Sequence, residues 1–237
     1  AQGTEILVNS ITGSANSDPN IAMDDAGNFV IAWQSLGEDG SGNGIYARRF
    51  DVAGTPLSAD FLVNTTTNLG QQTASVAMDA SGDFVIIWAG NGEVAGEVDS
   101  SGVFMQRYDA SGATLGGETL INTTTAEQQQ DPSLAMNATG EFVVSWISYL
   151  QDGSLYGIFA QQFDAAGIAQ GNEFQVNTTG NSTQSAPAVA MEGDNFTIVW
   201  SGNGEQVGEV DTSGVFAQRY QGNGLAFSVG DGIGDTT

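Results

Sequence analysis

Short apolar runs broken by glycine-bearing polar turns recur along the chain, always in the same order. The fullest run ends on tryptophan: IAMDDAGNFVIAW at 21–33, VAMDASGDFVIIW at 76–88, LAMNATGEFVVSW at 134–146 and VAMEGDNFTIVW at 189–200. Its tryptophans, Trp33, Trp88, Trp146 and Trp200, lie 55, 58 and 54 residues apart, each four residues after a phenylalanine. A second block follows each of these (GIYARRFD, GVFMQRYD, GIFAQQFD, GVFAQRYQ). A third block comes after it: DFLVNT, ETLINT, EFQVNT and, more weakly, LAFSVG. An extra copy of the third block, EILVNS, opens the chain. Apolar runs this short, returning at a fixed long period, spell a repeated set of β-strands.

Each unit holds four predicted strands. In the first unit strand A covers about 20–24, B 28–34, C 44–51 and D 59–64. The A–B connection reads Asp79-Ala-Ser-Gly82 and the C–D connection Asp109-Ala-Ser-Gly112. Asp opens such turns and Gly supplies their positive φ, so A–B and C–D are tight hairpins. Strand B is continuously apolar, as a strand buried on both faces should be, whereas C and D alternate as strands nearer an edge do. The pattern predicts an all-β fold: a four-bladed β-propeller-like array of four antiparallel four-stranded repeats. A larger propeller or a linear β-repeat array is the alternative. The units run about 10–64, 65–122, 123–177 and 178–230, with an extra leading strand at 5–9 and a linker tail at 231–237. Five D-type strands accompany four A–B–C sets, so the leading strand is a candidate to close a ring against the last blade.

Composition narrows the chemistry. Twenty-eight acids against four bases give a net charge of −24. Such a surface repels phosphate backbones and anionic leaflets, and no apolar run is long enough to span a bilayer. Nucleic acid and membrane insertion are therefore excluded as partners. The chain has no cysteine and no histidine, which removes disulfides, thiolate or imidazole zinc sites, and Cys or His catalysis.

Divalent cations remain compatible with the charge. The B–C connections of units two and four are long and nearly identical, and each offers hard oxygen donors: Asn91, Glu93, Glu97 and Asp99 in one, Asn203, Glu205, Glu209 and Asp211 in the other. Carboxylates and amide oxygens on glycine-rich loops suit Ca2+. The shorter loop of unit one presents Asp39, Ser41 and Asn43. Solvated acidic loops are the plainer reading of all three. Arg49, Arg107 and Arg219 share one position of strand C, where unit three has Gln162, and this equivalence favours packing between blades over a substrate site. The acids follow the repeat too, so no catalytic carboxylate pair stands out. The Asn-Thr-Thr sequences at Asn64, Asn122 and Asn177 are expected to serve as strand-end hydrogen bonding. Tyr149 and Tyr156 form a candidate sugar-stacking pair.

Four segments, Asp131-Pro-Ser-Leu-Ala-Met136, Phe142-Val-Val-Ser-Trp146, Gly157-Ile-Phe-Ala-Gln-Gln-Phe-Asp164 and Glu173-Phe-Gln-Val-Asn-Thr178, resemble repeats of very large exported surface proteins of cyanobacteria and proteobacteria, which often also carry calcium-binding nonapeptide repeats. The resemblance implies a secreted or cell-surface location and adhesion or calcium association. The Gly-Gly-x-Gly-x-Asp nonapeptide is absent, so its calcium sites do not carry over. The sequence thus leads to the expectation of a non-enzymatic binding or adhesion module, monomeric within a longer chain, meeting a glycan or protein surface, with Ca2+ as a candidate stabilising ion. A carboxylate-based glycan hydrolase or lyase and a passive structural spacer are the alternatives.

Overall fold

The computed structural model describes residues 4–94, 97–178, 183–206 and 209–222, the side chains of 92–100 and 204–213 apart. The weak D-type run at 225–229 and the tail at 231–237 lie outside the described residues. The first blade contains β1 (Asn16–Met23), β2 (Phe29–Leu36), β3 (Asn43–Phe50) and β4 (Phe61–Leu62). The second contains β5 (Gln71–Met78), β6 (Phe84–Val94), β7 (Glu97–Tyr108) and β8 (Thr119–Leu120). The third contains β9 (Gln129–Met136), β10 (Phe142–Tyr149), β11 (Tyr156–Phe163) and β12 (Ala169–Gln175). The fourth contains β13 (Gln184–Glu192), β14 (Asn195–Gln206) and β15 (Glu209–Tyr220). Every sheet is an antiparallel meander in chain order, and the four form the propeller-like array that the repeat predicts.

The blades stack through two unlike faces, a consequence of the two-residue period of a strand. One face is small and aliphatic: Val30, Ala32, Ile45 and Ala47 in the first blade. The other is aromatic: Phe84, Trp88, Phe104 and Tyr108 in the second. The aliphatic face of each blade packs on the aromatic face of the next, as Val85, Ile87, Val103 and Met105 do on Phe142, Trp146, Phe159 and Phe163. Val143, Ile158 and Ala160 repeat this against Phe196, Trp200 and Tyr220. Within each aromatic face the first aromatic of strand B stacks on the last aromatic of strand C, with ring centroids 4.8 Å apart for Phe84–Tyr108, Phe142–Phe163 and Phe196–Tyr220. The burial that drives this stacking also pushes the Tyr108 and Tyr220 hydroxyls well above the ordinary tyrosine range, so both stay neutral.

Strand C differs from the sequence reading. In the two middle blades it is buried on both faces, β11 almost throughout, because both neighbouring blades lie against it; the edge role falls to the short strand D. The innermost strands β1, β5, β9 and β13 lie side by side in that order. Among the described residues β13 makes no comparable contact with β1, so the described strands leave the ring open between the fourth blade and the first.

Candidate functional site

The innermost strands share one irregularity. Each is broken by a bulge at the same register, where two residues oppose the single tryptophan of strand B. The first residue of each bulge is left-handed: Asp18 (φ 51), Thr73 (φ 53), Asp131 (φ 50) and Ala186 (φ 50). The second is Pro19, Ala74, Pro132 or Pro187, positions where the ladder needs no N–H donor. Positive φ is costly for threonine and alanine, so a conformation held in all four blades is part of the architecture. The side chain it carries is not fixed by that architecture. Thr73 and Ala186 show that the backbone does not require an acid, yet the first and third blades place aspartates there.

Asp18 and Asp131 are solvent-exposed on the axial strands. Asp18 accepts a hydrogen bond from Gln34 Nε2, which also donates to Ser17 Oγ at 2.9 Å. Asp131 has no side-chain hydrogen bond to the described residues. The two are repeat-equivalent, and the blade between them carries Thr73. This is the departure from repeat symmetry that sequence reasoning missed. It can be seen by aligning the start of strand A alone, where SDPN and QDPS stand against QTAS and SAPA.

The residues expected to hold calcium are placed differently from the reading above. The long B–C connections are not loops: β6 and β7 continue pairing through Gly92↔Asp99, Glu93↔Val98 and Val94↔Glu97. In the fourth blade Gly204↔Asp211, Glu205↔Val210 and Gln206↔Glu209 pair in the same way. The donors therefore lie on two extended hairpin arms. The Asn91 and Asn203 carbonyls accept hydrogen bonds from the buried Gln71 and Gln184 amides, at 3.1 and 3.4 Å. The side chains of Glu93, Glu97, Asp99, Glu205, Glu209 and Asp211 lie outside the described residues. Among the described residues no group of three or more acids converges on a point.

The other candidates have structural roles. Arg49 donates to the Ala110 and Ser111 carbonyls, and Arg107 to those of Ala165 and Ala166, so each clamps the C–D turn of the next blade. Asn64, Asn122 and Asn177 are buried and accept from the backbone N–H of Ile45, Val103 and Ile158 at 2.7, 2.8 and 2.7 Å. Tyr149 and Tyr156 are a cross-strand pair, half-buried, with centroids 5.0 Å apart. Asp39 Oδ1 accepts from Ser41 N at 3.1 Å within its own loop.

No protein-family model and no curated protein matches the chain. Solved structures do share its fold. The arabinobiose complex of a family-93 α-L-arabinofuranosidase from Fusarium graminearum matches 92% of this chain and 66% of its own, with a TM-score of 0.57 at 8% identity. An E242A mutant of an α-L-arabinofuranosidase from the same fungus, in complex with an iminosugar inhibitor, covers 85% of this chain and 61% of its own, with a TM-score of 0.55 at 10% identity. A thermostable family-43 glycoside hydrolase covers 88% and 72%, with a TM-score of 0.52 at 13% identity. The chain is similar to glycoside hydrolases in fold. This corrects the expectation of a non-enzymatic adhesion module, since the fold it shares is that of glycoside hydrolases. The repeat made the acids look equivalent, and the position of Asp18 and Asp131, where they are not, lies within a bulge.

Proposed function

We propose that this chain is a carboxylate-based glycan hydrolase acting at the axial strands, with Asp18 and Asp131 as its working acids. The observation that carries this reading is the pair itself. Two exposed carboxylates stand at a left-handed backbone position that recurs in all four blades and elsewhere takes Thr73 and Ala186. Glycoside hydrolysis needs two carboxyl groups flanking the scissile bond. One gives its proton to the leaving oxygen as the bond to the anomeric carbon breaks. The other removes a proton from the attacking water, or itself attacks and is later released by water. Lacking histidine and cysteine, the chain has aspartates and glutamates as its natural proton-transfer groups. That arabinofuranosidases share the fold makes arabinan and arabino-oligosaccharides the first substrates to test.

Release of reducing sugar from arabinan, arabinobiose and a panel of other polysaccharides would be measured for the wild type, Asp18→Asn and Asp131→Asn. Both side chains are exposed, so neither change should disturb folding. Each variant should lose on the order of 100-fold or more in kcat, the contribution of a positioned acid or base. Unchanged turnover in both variants, or no hydrolysis of any panel substrate by the wild type, would remove the proposal.

A further inference from the structure

The open sector of the array carries two unlike, unpartnered faces, and each is one half of an interface already made three times within the molecule. On the first blade the aromatic face has no blade before it. Ile21 is 56% exposed, whereas its counterpart Val76 in the second blade is 5% exposed; Met23 is bare as well. An open groove of about 430 Å³ runs over this face, between Val8 on one side and Pro19, Ile21, Ile31 and Trp33 on the other. On the second blade the same position is filled by the aliphatic side chains of the first. On the fourth blade the aliphatic face has no blade after it among the described residues. Val215 is 80% exposed, and its counterparts Ile45, Val103 and Ile158 are 0%.

The leading segment marks where the missing outer strand belongs. Its Ser10 N–H donates to Asp60 Oδ2 at 2.6 Å. Thr65 N–H and Thr123 N–H, at the ends of the D strands of blades one and two, donate in the same way to Glu118 and Glu173 of the following blades, both at 2.7 Å. Val8 O accepts from Arg48 Nη1 at 2.8 Å, which pins the segment to the aromatic face. Residues 5–10 therefore lie on the first blade as a strand D lies on the blade that follows it, but without strands A, B and C beside them.

We propose that a second copy of this chain fills that sector head to tail. The aliphatic face of its fourth blade docks on the aromatic face of the first blade of its neighbour. The contact follows the register of the three internal interfaces, with Thr197 where the other blades have Val30, Val85 and Val143: Val199 and Val215 would meet Ile21, Ile31 and Trp33. The contact is heterologous, so it leads to rings or filaments. The net charge of −24 on each copy opposes it, so salt that screens repulsion should strengthen association.

Sedimentation velocity over a wide concentration range, at about 0.5 M salt where the Debye length is a few Å, tests this with three proteins: wild type, Val215→Asp and Ile21→Asp. Both substituted side chains are exposed, and near-ultraviolet circular dichroism checks that each variant folds. The wild type should associate, each variant alone should be monomeric, and an equimolar mixture of the two should form 1:1 dimers and nothing larger, because one good head meets one good tail. A wild type that stays monomeric overturns the proposal, and if both variants then also melt earlier, the ring closes within one chain. Association that survives either substitution, or a mixture that stays monomeric, overturns it equally.

Discussion

At the scale of single residues, the structure depends on polar side chains that complete the backbone where strands end. Asn122 accepts from the Val103 N–H and donates to the Thr124 carbonyl at 2.9 Å, and it is buried. Asn64 does the same for its blade and Asn177 accepts from the Ile158 N–H, and each also reaches the buried glutamine seven residues on, Gln71 and Gln184. This explains why Asn-Thr-Thr recurs at strand D ends: the amide oxygen replaces a ladder acceptor that the short strand cannot supply. Replacing it strands a buried N–H. Asn122→Ala should lower the unfolding free energy by about 1–3 kcal/mol, measured by urea titration, with the midpoint falling and the slope unchanged. A change within error would mean that the Val103 N–H finds another acceptor.

At the scale of the strand and turn, neighbouring blades are tied by a clamp. The guanidinium of Arg107 holds two carbonyls of one turn, a forked geometry that a lysine ammonium cannot reproduce. Arg107→Ala should cost about 1–2 kcal/mol, and Arg107→Lys should recover only part of it, read as Tm shifts by calorimetry. Full recovery by lysine would show that charge alone matters. The third blade has Gln162 instead, and the turn it would reach, Tyr220-Gln-Gly, lacks the aspartate found at Asp51, Asp109 and Asp164; the clamp and the aspartate-built turn disappear together.

Much of this level was legible in the sequence. Strand B, its tryptophan and the Asp-Ala-Ser-Gly hairpins follow directly from hydrophobic period and turn chemistry. The hairpin arms were not, because Gly-Asn-Gly-Glu reads locally as a loop, and pairing reaches Val94↔Glu97 only past a one-residue register shift between Gly90 and Gly92. Asp18 and Asp131 were missed for a related reason: a bulge leaves no periodic trace in the sequence, and both are followed by proline, which reads as a strand boundary.

At the scale of the whole molecule, the array is a chain of nearest-neighbour contacts. Each of the three apolar clusters joins two consecutive blades. Removing the fourth unit should therefore leave the first two clusters intact. A chain ending at Thr178 should still unfold cooperatively, with a urea slope reduced by about a quarter, since the slope scales with the surface exposed. A broad, non-cooperative transition would show that the first three blades need the fourth to hold together.

The unlike faces of the blades also bear on how the protein is made. Within each sheet, pairing joins strands that follow one another in sequence, so a blade can zip up as soon as it has been synthesised. In every blade but the first, the aromatic face it then presents finds its aliphatic partner on the blade already finished. Birth order and packing order coincide: from the second blade on, each aromatic face meets a waiting template as it leaves the ribosome, and nascent chains pass through no stage in which two aromatic faces must wait uncovered for a later segment.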